Sequence, residues 1–217
     1  MTVKKSPEIN DAIIGILNSI ATQQAIVVIG EKNFYAELRL YEKTDGSWNL
    51  VCQMPAYVGR NGMGKTREGD LRSPTGIFPL ETAFGIAPPP AGSGYPYRIL
   101  TEQDYWVDDN QSADYNRWVQ WQPGEPKDWN SAEWLWEEKI CYRYAVVIGY
   151  NPECRPGQGS AIFLHVRAGE DIPTQGCTAV SEAGMIRILQ WLDPEKQPVL
   201  IQGSEQDLPS FTLGRTY

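Results

Sequence analysis

The chain has 217 residues, 41% of them apolar and 21% charged, with a formal net charge of −8. That suits a single domain with a packed core and excludes a disordered chain. The acidic balance disfavours long-range attraction to nucleic acid or anionic lipid, and no apolar run approaches the roughly 20 residues of a membrane span. Twenty Gly and 16 Pro point to many strands joined by turns.

The first residues, MTVKKSPEIN, carry two lysines with no apolar core behind them, and Gly15, Asn18 and Ser19 interrupt the next apolar stretch. No signal peptide is visible, which fits either a cytoplasmic chain or one already stripped of its leader. Ile9, Ile13, Ile16, Leu17 and Ile20 recur at helical spacing, so the pattern predicts an amphipathic helix over about 8–22 within an N-terminal segment of 1–24. The period then changes. AIVVIG (25–30) is a short apolar strand. Residues 34–40 and 48–54 alternate around Asp45-Gly46 and predict a hairpin. A glycine-rich loop follows at 57–65, then a strand in SPTGIFPL (73–80) and a linker in APPPAGSGYP (87–96). Residues 143–150, 161–166 and 198–202 read as strands. The segment 181–192 reads as a helix capped by Ser181, with Met185, Ile188, Leu189 and Leu192 on one face. This order is mostly β with a helix towards each end, without regular βαβ alternation.

Charge is uneven. Residues 102–139 hold ten acids against three bases and six of the eight tryptophans. This insertion is either a Trp-anchored appendage packed on the core or a binding wall of aromatics and acids. Residues 60–72 are locally basic, with four bases and two acids. GRNGMGK (59–65) lacks the spacing of a phosphate-binding loop.

His165, at the end of AIFLH, is the only histidine, which excludes a multi-histidine metal site; Cys52, Cys141, Cys154 and Cys177 form no CxxC pair. Cys177 stands apart, because PTQGCTAVSE places it in a polar turn rather than in an apolar strand such as the one holding Cys52. Gly176 permits a tight turn whose successive amides can converge on one oxygen, as acyl transfer requires. A thiol needs a base to become a nucleophile, and His165 is the one imidazole available. A bridge between Cys141 and Cys154, 13 residues apart, is open from sequence alone.

The segment IFLHVRAGEDIPTQGCTAVSEAGMIRILQWLD (162–193) resembles the active-site region of the L,D-transpeptidase (YkuD-like) catalytic domain, in a branch whose motif is Thr-x-Gly-Cys. KTREGDLRSPTGIFPLETAFG (65–85), VDDNQSADYNRWV (107–119) and YRYAVVIGYN (142–151) fit the same pattern, so the resemblance spans about residues 57–202. It implies a YkuD-like β-sandwich or barrel over 25–217, with a helix after the catalytic cysteine. It further implies Cys177 as nucleophile, His165 as base and the Gly176 and Cys177 amides as the oxyanion site. The reaction implied is attack on a peptidoglycan stem peptide, through a thioester and with release of D-Ala, without a cofactor and within the cell envelope. Water as acceptor would make the enzyme an L,D-carboxypeptidase or other cysteine peptidase; a degenerate site would leave a peptidoglycan-binding module. The chain departs from the better-known Ser-His-Gly-Cys form, which is followed closely by Arg: here Thr174-Gln175-Gly176-Cys177 leads into Thr178-Ala179-Val180. Recognition of a substrate carboxylate therefore falls to other residues, with Arg167 the first candidate and Lys65, Arg67 and Arg155 behind it. Thr174 would hydrogen-bond within the turn or to His165, and Glu68 and Asp70 would shape the loop around Gly69. Oligomeric state is not legible.

Overall fold

The computed structural model describes residues 7–211. The first helix, α1 (Pro7–Ser19), is shorter than the pattern predicts. Thr22 explains the stop: its hydroxyl donates to the Gln197 carbonyl at 2.7 Å, with the Lys196 carbonyl also within reach at 3.1 Å, turning the chain into the sheet. Strands β1 (Gln24–Gly30), β2 (Tyr35–Thr44), β3 (Ser47–Tyr57) and β4 (Gly76–Gly85) follow. Then come β5 (Tyr97–Ile99), β6 (Asp104–Val107), β7 (Trp118–Gln120) and β8 (Ala132–Trp134). The chain closes with β9 (Ala145–Ile148), β10 (Phe163–Val166), β11 (Thr178–Val180), helix α2 (Glu182–Trp191) and β12 (Val199–Ser204). The predicted hairpin forms at its predicted turn, where Asp45 (φ 52°) and Gly46 (φ 80°) both take the left-handed backbone of a tight two-residue loop.

One nine-stranded sheet runs in the order β12-β1-β2-β3-β11-β10-β9-β4-β5. The first half of β4 also pairs antiparallel with β12, Leu200 opposite Phe78, so the sheet closes on itself like a barrel. The fold is thus mostly β with two α-helices among the described residues, as the sequence predicts. Strand parity sorts the side chains. Ile26, Val28, Leu38, Val146, Leu164, Val166 and Leu200 enter one core with Met185, Ile188 and Leu189 of α2. The opposite face of β1, Ala25, Val27 and Ile29, is covered by Ile9, Ile13 and Leu17 of α1. Burial on both faces explains why AIVVIG is apolar without alternation. Ser181 accepts from the Gly184 amide at 3.1 Å and caps α2 as expected.

The Trp-rich segment builds a separate three-stranded sheet, β7-β6-β8. Trp106 meets Phe163 edge-on at 5.0 Å and Trp118 meets Phe84 at 5.1 Å, so the segment docks on the outer faces of β4 and β10. Asp104, fully buried, is held by Arg98 (2.6 Å), the Trp118 indole (2.8 Å) and the Thr101 amide (2.7 Å). That much is a packed appendage; other acids of the segment face the cleft described next.

Candidate functional site

Between the outer wall of the main sheet and the small sheet lies a cleft of about 450 Å³. His165 and Cys177 both line it. Alternation along β10 places His165 on the same face as Phe163, opposite the core-facing Leu164 and Val166. β10 and β11 are parallel, with Leu164 beside Thr178 and His165 beside Ala179. Cys177 is one residue before β11 and therefore falls beside Phe163, diagonal to His165 on the same face. The turn holding Cys177 thus leads into a short strand before α2, rather than directly into the helix as its sequence suggests. β11 has only three residues, too short to show a periodic signal.

The turn is pinned from several sides. The Cys177 carbonyl accepts from the hydroxyls of Thr174 (2.6 Å) and Ser73 (2.8 Å). Thr174 is tied by its backbone to Val58 and Arg60. Gly176 has φ +151°, and a β-carbon there would come 3.1 Å from the Arg72 carbonyl oxygen, so the position requires glycine. Its amide donates to Thr174 Oγ1 at 3.2 Å. Thr174 is therefore a turn residue by its contacts, and it does not bond to His165.

Cys177 Sγ lies 3.4 Å from the Phe163 amide, which donates to it, and 3.3 Å from the Ala161 carbonyl, to which the thiol donates. Burial pushes the thiol well above its ordinary value; the Glu133 carboxylate adds to that, while the Phe163 amide and Lys65 oppose it. His165 is 7% exposed, and burial pushes it down to about 4 despite the bond from its Nδ1 to the Val166 carbonyl (2.7 Å). At neutral pH the pair is a neutral thiol and a neutral imidazole. Nδ1 is engaged as a donor, leaving Nε2 with a free lone pair.

Lys65 lines the cleft and forms a buried ion pair with Asp70 (3.1 Å). Asp70 also accepts from the amides of Thr66, Arg67 and Arg72, which is the loop-shaping role expected around Gly69. Glu68 is likewise engaged, by Tyr115 (2.6 Å) and Ser160 (2.7 Å). Arg67 is exposed and does not line the cleft. Arg167 also stays outside it: β10 ends at Val166, and the guanidinium pairs with Glu170 over the Tyr57 ring. Arg155 pairs with Glu153 on the surface. Cys141 and Cys154 are both free thiols. Cys141 lines the cleft, pushed up to about 11 by burial and by Glu138.

Three acidic cleft residues were not singled out from the sequence: Glu133 on β8, Glu138, and Asp108, which lies within the 107–119 segment of the resemblance. For Glu133 and Glu138 the density of acids in 102–139 is the only hint the sequence gives. No metal-ligating group of three or more His, Cys, Asp or Glu occurs among the described residues.

Fold and cleft define a class: a closed, mostly β protein whose sole imidazole shares an outer cleft with a thiol held in a glycine turn. The model of the L,D-transpeptidase catalytic domain, YkuD, matches residues 25–201, and the chain belongs to that family. No curated protein sequence matches the chain. Among solved structures it is similar to Bd1075 of Bdellovibrio bacteriovorus, at 16% identity and a TM-score of 0.43, covering 85% of this chain and 51% of that one. It is also similar to the helical cell shape determining protein Pgp2 of Campylobacter jejuni, at 13% identity and a TM-score of 0.42, covering 94% and 60%. The chain thus spans between half and three-fifths of those structures.

Proposed function

We propose that this protein is a cysteine acyltransferase acting on peptidoglycan stem peptides in the cell envelope, with Cys177 as nucleophile and His165 as base. The observation that supports this best is the shared cleft, lined by a lone imidazole with a free Nε2 on β10 and by a thiol held in the glycine turn that leads into the adjacent parallel β11. Neutral His165 takes the Sγ proton as sulfur attacks the carbonyl before a terminal D-Ala. The Cys177 amide, joined by the Gly176 amide once it leaves Thr174, stabilises the oxyanion. Collapse breaks the C–N bond, the imidazolium returns its proton to the leaving amine, and a thioester remains. An amine or water then attacks that thioester with His165 again as base. Lys65 is the cation best placed for a substrate carboxylate, since Arg167 and Arg67 do not line the cleft.

The test is incubation with a disaccharide-tetrapeptide, read by intact-protein mass. Wild type is expected to show an acyl adduct on Cys177 and to release D-Ala, and Cys177→Ala neither. D-Ala release by Cys177→Ala at the wild-type rate would remove Cys177 from the reaction. A cross-linked product with a second stem present identifies a transpeptidase; trimmed stems alone identify a carboxypeptidase.

A further inference from the structure

One buried contact in the cleft has no part in those steps. Tyr142 is 3% exposed, and its hydroxyl donates to Glu133 Oε1. Its ring meets the His165 imidazole edge-on, with centroids 5.7 Å apart and planes at 89°, and meets Phe163 at 5.5 Å. Glu133 belongs to the small sheet and His165 to the main one, so a single tyrosine ties the Trp-rich segment to the strand carrying the imidazole. His165 is held at one ring nitrogen by the Val166 carbonyl and along its side by Tyr142.

We infer that Tyr142 and Glu133 are positioning residues for the Cys177–His165 pair. The Tyr142 ring fixes the imidazole, and the Glu133 carboxylate, gripped by the Tyr142 hydroxyl, governs how readily Cys177 gives up its proton. The inference rests on reading Cys177 as the nucleophile and His165 as the base.

The electrostatics follow from what faces Glu133. Tyr142 donates to it, the acids Glu138 and Asp108 repel its charge, and Cys141 and Cys177 lie within its field. Asp108 Oδ1 is buried without a hydrogen-bond partner among the described residues. Lys65, paired with Asp70, is the cation acting on Cys177. Burial lifts Glu133 to about 7, with the Tyr142 bond opposing and the neighbouring acids adding to it. Glu133 therefore changes charge near neutrality. Its anion holds the Cys177 proton on, and its neutral form relaxes that hold.

The test is iodoacetamide alkylation of the full chain from pH 5 to 10, with peptide mapping to count Cys177 apart from Cys141. Glu133→Gln keeps an acceptor for the Tyr142 hydroxyl and removes the charge. It is expected to alkylate Cys177 at least threefold faster than wild type at pH 8 and at the wild-type rate at pH 5.5. Tyr142→Phe keeps the ring and drops the hydroxyl; without that donor Glu133 ionises at higher pH, so the slowing of alkylation should begin later on the pH axis. A Glu133→Gln rate equal to wild type throughout, or raised by the same factor at both pH values, overturns the inference. Tyr142→Phe gives an independent reading should Glu133→Gln not fold: a pH profile superimposable on wild type counts against it. If the alkylation pattern appears but wild type releases no D-Ala, the peptidoglycan reading fails and the positioning pair stands.

Discussion

Two buried groups in the cleft should make opposite, nearly cancelling contributions to stability between pH 4 and 7. His165 titrates at about 4 when folded against an ordinary 6.5. Between those values the unfolded chain binds a proton that the folded chain refuses, so stability is full above pH 6.5 and is lost as pH falls towards 4. A shift of that size corresponds to about 3 kcal/mol. Glu133 titrates at about 7 when folded against an ordinary 4.5. Here the folded chain holds the extra proton, so its contribution is full below pH 4.5 and is lost as pH rises towards 7, again by about 3 kcal/mol. Both figures are ceilings, because the cleft admits water to each group. Urea unfolding of wild type, His165→Gln and Glu133→Gln across pH 4 to 7.5 separates them, since the remaining carboxylates are common to all three. Relative to wild type, His165→Gln should gain stability on acidification and Glu133→Gln should lose it. Two variants whose differences from wild type stay constant with pH would refute the assignment of these groups as buried and neutral.

Three further outcomes follow from packing and charge. Leu164→Ala, at a fully buried position of the main core, should destabilise by about 2–5 kcal/mol in urea unfolding. Ser181→Ala removes the cap on the Gly184 amide and should cost about 1 kcal/mol, read as a lower Tm, with Cys177 alkylation unchanged. Lys65→Met removes the cation that eases ionisation of Cys177 and leaves Asp70 with its three amides. Cys177 alkylation at pH 8 should slow several-fold; an unchanged rate would show that Lys65 serves only the loop.

The sequence by itself determined the elements whose signal is local. The β2–β3 hairpin is set by Asp45-Gly46, α2 by the Ser181 cap and its apolar stripe, and the need for glycine at 176 by the polar turn around it. That His165 and Cys177 would lie near one another was an expectation of the motif resemblance, and the structure places both on one cleft. Tertiary structure decided what depends on contacts between distant residues. Closure of the sheet through β12 and β4 joins residues more than 120 apart, as in the bond from Gln202 to the Pro74 carbonyl, and no local pattern encodes it. Arg167, the first candidate for a substrate carboxylate, stays out of the cleft because the strand ends at Val166 and Glu170 claims its guanidinium. Glu133 looked like one acid among ten. It reaches the cleft because the small sheet docks its tryptophans on Phe84 and Phe163, and an acid so placed loses most of its water and takes a new partner in Tyr142.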